Sequence, residues 1–188
     1  MQKQITIGGG CFWCLDAIFK TIEGITKIES GYAGGEKPNP TYLEVCGGKT
    51  GHAEVVRLTY DEDQIKLEDI IRIFFEIHDA TTMNKQGADI GTQYRSVIFY
   101  ENEIEKNIIE KIRDEVQKSL KDPIVTEIVP LNKFFLAEEY HQDYKDKNPV
   151  RYAAYREANG RNAFIRKNWQ DDSPYVKDIF SSQALSIS

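Results

Sequence analysis

At 188 residues, with 40% hydrophobic and 29% charged residues, the chain has the make-up of one folded domain with a single core rather than of a disordered segment. A formal net charge of −6 without a large Lys/Arg block excludes a phosphate-tracking nucleic-acid face, and no apolar run nears the roughly 18 residues of a membrane span. The opening MQKQITIGGGC lacks the apolar core of a secretory signal, so a cytoplasmic setting with reduced thiols is expected, and three cysteines are too few for a disulfide framework.

In chain order, Gln4 to Gly8 reads as a short strand that the following glycines end. From Cys11 to Thr21, the apolar residues around Trp13, Ala17 and Ile18 fall at helical spacing, and Gly24 stops the run. Ile25 to Tyr32 alternates as a strand, Ala33 to Lys49 is a long polar loop, and Ala53 to Tyr60 is a strand. Ile70, Ile71, Ile73, Phe74, Phe75 and Ile77 mark a buried helix over Leu67 to His78. A second irregular stretch, Asp79 to Tyr94, leads into a strand over Arg95 to Tyr100. Glu103 to Leu120 is a charge-laced amphipathic helix, and Ile124 to Val129 a further strand.

This βαββαβ order, followed by one more helix and strand, predicts an α+β fold. The expected architecture is a two-layer sandwich: a split βαβ, ferredoxin-like mixed sheet with helices over one face and long loops. One domain is expected over residues 1–148, with 149–188 as a C-terminal extension packed on it and the last dozen residues loose. The segment AEEYHQDY, Ala137 to Tyr144, reads as helical. The two long loops flank strands that adjoin the first turn, and long loops in a compact domain are usually functional.

That first turn carries Cys11 and Cys14 as CxxC, with Phe12 and Trp13 between them. A metal site would need Cys46 and His52 as its other half, and their C-x5-H spacing does not suit a zinc knuckle. Cys46, alone in its segment, suits a small buried filler. Cys11 does not: three glycines precede it, which leaves the backbone around it open, and it stands at a helix start. The positive end of that helix is expected to lower the thiol pKa. On an ideal helix, residues three apart have Cα atoms roughly 5 Å apart, inside the window of about 4.4–6.8 Å for a disulfide. A thiolate with a resolving partner is therefore the favoured reading. A thioredoxin-like exchanger, whose CxxC normally follows a strand further into the domain, is the weaker one.

The segments GCFWC, GYAGG (Gly31–Gly35), NPTY (Asn39–Tyr42), TGHAE (Thr50–Glu54), GTQYRS (Gly91–Ser96) and AEEYHQDY together resemble the A-type peptide methionine sulfoxide reductases, from about Ile5 to Pro149. The resemblance implies reduction of the S epimer of methionine sulfoxide, free or in proteins, without metal or cofactor and with electrons from thioredoxin. It implies Cys11 as nucleophile, Phe12 and Trp13 as the seat of the substrate methyl group, and Glu54 as an acid whose pKa burial raises. Tyr42 and Tyr94 would hold the sulfoxide oxygen, and Asp89 would organise the polar side of the pocket. Because residues 151–188 contain no cysteine, Cys14 is expected to resolve the oxidised Cys11, with Cys46 as the competitor. His52 and His141 are read as structural, Ala80 stands where the family often has Pro, and a monomer is expected.

Overall fold

In a computed structural model, which describes residues 1–169, the alternating segments form a six-stranded mixed sheet. The strands are β1 (Gln2–Gly9), β2 (Ile25–Ala33), β3 (Ala53–Asp61), β4 (Lys85–Gln86), β5 (Asp89–Ile90), β6 (Ser96–Tyr100), β7 (Glu127–Pro130) and β8 (Phe134–Leu136). The helices are α1 (Phe12–Phe19), α2 (Tyr42–Cys46), α3 (Leu67–Glu76), α4 (Glu103–Gln117), α5 (Tyr144–Lys147), α6 (Pro149–Asn159) and α7 (Arg161–Trp169). The large sheet runs β7-β6-β1-β3-β2-β8, and β4 and β5 pair as a separate hairpin.

β1 lies antiparallel between β3 and β6, and β2 lies antiparallel to β3. This is the split βαβ arrangement the element order predicts, and the fold is α+β. β7 extends the sheet parallel to β6, and β8 adds an antiparallel edge to β2, which makes the sheet mixed. Period-2 alternation sends Ile5, Ile7, Val56, Leu58 and Ile98 to one face. There they pack with Leu15, Ile18 and Phe19 of α1, Ile70, Ile71 and Phe74 of α3, and Ile109 and Ile112 of α4. Each such side chain contributes about 1.5–3 kcal/mol on leaving water. The opposite face holds a smaller cluster of Ala33, Ala53, Val55, Val97 and Phe99.

Several expected boundaries move, each for a local reason. Helix α1 begins one residue after Cys11, which is its N-cap, and ends at Phe19. The loop after β2 contains α2, where the Thr41 N–H donates to Glu44 Oε2 at 2.9 Å. The second irregular stretch holds the β4–β5 hairpin and a 3-10 turn, Thr92–Tyr94. β7 starts at Glu127 because the Ile124 N–H is taken by Gln117 Oε1 at 2.7 Å and the Val125 N–H by the Ala80 carbonyl at 2.8 Å. AEEYHQDY is not a helix: a 3-10 turn over Glu139–His141 is followed by a left-handed Asp143, φ 53°, before α5. In the extension, Pro149 opens α6 and Gly160, φ 82°, closes it ahead of α7. The last dozen residues, expected to be loose, lie outside the described residues.

Candidate active site

The site is built on the turn from β1 into α1. A Cβ on Gly8 would stand 2.8 Å from the Glu54 carbonyl oxygen, and one on Gly9 would stand 3.0 Å from the Phe74 ring. Gly10 has φ +88°, and its Cβ would fall 2.6 Å from Gln86. The glycines thus do not leave the backbone open, as the sequence suggests; they let β3, α3 and the β4–β5 hairpin press against it. Cys11 follows with φ −59° and ψ 129°, outside helical geometry, and its carbonyl accepts the Cys14 N–H at 3.2 Å. The Phe12 N–H donates to Glu54 Oε2 at 3.2 Å, and the Glu54 carboxyl reaches the Cys11 thiol.

The electrostatics of this pair follow from burial. Cys11 is 5% exposed. Loss of water pushes its thiol well above the ordinary value, and the charges of Glu54 and Cys14 push the same way. The Tyr155 hydroxyl and the Trp13 N–H oppose this with smaller effects. The expected lowering by the helix end is therefore overridden, and Cys11 rests as a thiol. Glu54 is 1% exposed. Burial, with the Asp89 charge as a smaller contribution, raises its carboxyl to about 8 against the Phe12 N–H, so it is protonated at neutral pH.

Hydroxyl groups face the same spot. Tyr42 opens α2, its N–H donating to Glu138 Oε1 at 2.8 Å, and its ring stacks on Phe12 with centroids 6.5 Å apart. Tyr94 ends the 3-10 turn and faces Glu54, Cys11 and Asp89. Burial first, and Glu54 second, push both phenols up, so both stay neutral donors. Asp89 accepts hydrogen bonds from the Tyr155 hydroxyl and from Asn159 Nδ2, the latter at 2.5 Å. Burial raises the Asp89 carboxyl as well.

The two aromatics of the CxxC differ in placement. Phe12 has no exposed surface and packs between Tyr32 at 5.9 Å, Tyr42, and His141 at 5.0 Å. Trp13 is half-buried, stacks on Tyr144 at 3.7 Å, and donates from Nε1 to His141 Nδ1 at 3.1 Å. Cys14 is fully buried in a cluster with Ala17, Tyr144 and Tyr152, beneath α6. Cys46 is half-buried at the end of α2, within reach of the Tyr42 hydroxyl. His52 holds the loop after β2, accepting the Gly35 N–H at 3.0 Å and facing the Lys37 carbonyl at 2.8 Å. Among the described residues no group of three or more His, Cys, Asp or Glu is arranged to hold a metal ion.

All eight residues singled out from the sequence converge on this turn. Sequence reasoning missed Glu138, which joins the Tyr32 hydroxyl to the Tyr42 N–H, and Tyr155, Asn159 and Arg161 of the extension. Tyr152, Tyr155, Arg156 and Asn159 recur at i, i+3, i+4 and i+7, and that spacing was the available sign that one face of α6 turns inward.

A family model described as peptide methionine sulfoxide reductase matches residues 3–173. The peptide methionine sulfoxide reductase MsrA of Saccharolobus solfataricus is 51% identical over 147 residues, which is 78% of this chain and 83% of that protein. The crystal structure of Mxr1 from Saccharomyces cerevisiae in reduced form is similar with a TM-score of 0.77 at 40% identity, covering 79% of this chain and 87% of that one. The same yeast protein in complex with Trx2 gives a TM-score of 0.56 at 29% identity, covering 76% and 84% of the two chains.

Proposed function

The chain belongs to the peptide methionine sulfoxide reductases, and from that membership we propose that it reduces the S epimer of methionine sulfoxide, free or in proteins, at Cys11. The observation that carries the reading is a carboxylic acid kept protonated by burial beside a buried thiol, with neutral phenols facing both. A sulfoxide sulfur becomes electrophilic only as its oxygen gains a proton. Tyr42 and Tyr94 hold that oxygen by hydrogen bonds, Asp89 orders the polar side, and Trp13, backed by Phe12, seats the methyl group. The Cys11 sulfur attacks the substrate sulfur while Glu54 gives its proton to the oxygen. Methionine leaves, and the oxygen stays on Cys11 as sulfenic acid. The Cys14 thiol then displaces it as water, forming the Cys11–Cys14 disulfide.

Thioredoxin supplies the two electrons that reopen that disulfide, a step supported by the likeness to yeast Mxr1, which is seen with Trx2. No metal or cofactor enters the cycle. Residues 1–148 form the catalytic domain, with 149–188 as its extension, and the enzyme works as a cytoplasmic monomer. Among the described residues, no helix is long and apolar enough to cross a membrane.

The test is a single turnover without reductant, using separated epimers of a dabsylated methionine sulfoxide. The S epimer is consumed in an amount matching the enzyme, the R epimer is left, and peptide mapping finds Cys11 joined to Cys14. Glu54→Gln slows the step about 100-fold or more, the usual loss for a missing general acid. Equal use of both epimers, or a Cys11–Cys46 linkage, overturns the reading or its resolving step respectively.

A further inference from the structure

In the resting site the thiol and the carboxylic acid beside it both hold their protons. Cys11 begins as a thiol and must lose its proton to attack, yet Glu54 already holds one and is needed as the acid. The Glu54 carboxylate can take the thiol proton only after it has given its own to the oxygen. An acceptor available before that step would let Cys11 attack first, and α6 supplies a path to one. The Tyr155 hydroxyl donates its only proton to Asp89 Oδ2, and the same oxygen lies within reach of the Cys11 thiol. Asn159, one turn along α6, fixes this arrangement: its Nδ2 donates to Asp89 at 2.5 Å and to the Tyr155 oxygen at 3.1 Å. The Tyr155 ring stands edge-on to Trp13 at 5.8 Å and 82°. With its proton committed to Asp89, the Tyr155 oxygen can only accept from the thiol.

We propose that Tyr155 is a further catalytic residue of this enzyme, relaying the proton of the Cys11 thiol to Asp89. The thiol proton passes to the Tyr155 oxygen as the phenolic proton passes to Asp89. Tyr155 is never left as phenolate, which burial and the charges of Cys11 and Cys14 disfavour. Glu54 gives its own proton to the sulfoxide oxygen. After methionine leaves, Cys11 is sulfenic acid, Glu54 is ionised and Asp89 is protonated, so the proton count equals that of the thiol and sulfoxide at the start. The proton returns from Asp89 to Glu54 before the next cycle. Burial makes Asp89 a stronger acceptor than an exposed aspartate, against the Tyr155 hydrogen bond and, after it, the Arg161 charge, which favour the carboxylate. The relay deepens the sulfoxide-reductase reading and rests on it for its purpose, but the protonation of Cys11 is measurable without any substrate.

The experiment is alkylation of the full chain by iodoacetamide across pH, with Cys11 followed by peptide mass spectrometry, beside single-turnover rates. The other groups that face Cys11 are Glu54 of β3, Cys14 of α1, Tyr94 of the 3-10 turn and Tyr152 of α6. Glu54→Gln is therefore profiled in parallel, to separate its titration near 8 from that of the thiol. Tyr155→Phe keeps the ring and removes the relay. It moves the alkylation midpoint up by about one pH unit and slows single turnover about 100-fold at pH 7, with recovery at higher pH. Asp89→Asn, which leaves Tyr155 in place, shows the same upward shift and serves alone if Tyr155→Phe fails to fold. A slower turnover with an unmoved midpoint in either variant means packing only and overturns the relay. A downward midpoint, the sign of water entering beneath α6, overturns it too. If the midpoints shift as stated but neither epimer is turned over, the relay stands and the proposed function falls.

Discussion

Glu54 holds its proton to about 8 in the folded chain, whereas its ordinary value is 4.5. The native state therefore binds this proton more tightly than the unfolded state does. Its contribution to stability is complete below about 4.5 and is lost as pH rises through 8, an effect on the order of a few kcal/mol. Glutamine keeps an oxygen for the Phe12 N–H but cannot ionise. Thermal melts should show Glu54→Gln near the parent at pH 4.5 and more stable by about 5 °C or more at pH 8. A gap that does not change with pH would falsify the burial argument. The residues of this site that short motifs announce, such as Glu54 in TGHAE, were legible because neighbouring letters identify them. Tyr155 and Asn159 were not. Their bonds to Asp89 span 66 and 70 residues, and a tyrosine on an extension carries no local mark of its partner. The direction of the Cys11 pKa failed for a related reason: a helix start is visible in the sequence, but the covering helix that removes water is not.

At the scale of elements, long periodic segments were readable and short ones were not. β1, β2, β3, α3 and α4 each carry enough alternation or helical spacing to be read. α2 has five residues and the β4 and β5 strands two each, too few for any period to show. Their existence depends on capping and on contacts with the β1–α1 turn. Gly10 tests that dependence. An alanine there must adopt φ +88° and place its Cβ 2.7 Å from Gln86 Cβ and 2.9 Å from an Arg161 nitrogen. Gly48 also has a positive φ, +70°, but a Cβ there meets nothing within 4 Å. Gly48→Ala should cost only the left-handed backbone, about 1–2 kcal/mol, and Gly10→Ala about twice that or more. Urea denaturation of the two variants measures the difference. Equal losses would mean that the hairpin and α7 yield freely, and that the glycine run serves backbone conformation alone.

Across the whole molecule, the sheet brings the start of α1 and the start of β3 to one place, the β4–β5 hairpin sets Asp89 beside them, and α6 and α7 close over them. The extension is tied down by Arg161, which is fully buried. Its guanidinium donates to the Gly9 carbonyl of β1 at 2.7 Å and to the Ile77 carbonyl beyond α3 at 2.9 Å. It also faces Asp89 and Cys14, where burial raises the pKa of both groups and the Arg161 charge partly opposes the rise. One side chain of α7 thus joins the first strand, the end of α3 and the thiol that is to resolve the disulfide. Arg161→Met keeps the apolar stem but takes the guanidinium donor away from the Gly9 and Ile77 carbonyls, a loss of about 1–3 kcal/mol for each group left unpaired. Because these contacts belong to the extension, the loss should fall first on local opening of α6 and α7 rather than on the sheet. Tryptic cleavage at Arg151 within α6 should accelerate at least tenfold in Arg161→Met, and Cys14 should become open to alkylation. High salt should not reproduce the effect in the parent chain, since a buried cation is little screened. If cleavage accelerates while Cys14 stays protected, the anchor holds only the start of α6, and the cover over Cys14 is held by the packing of Tyr152 and Tyr144.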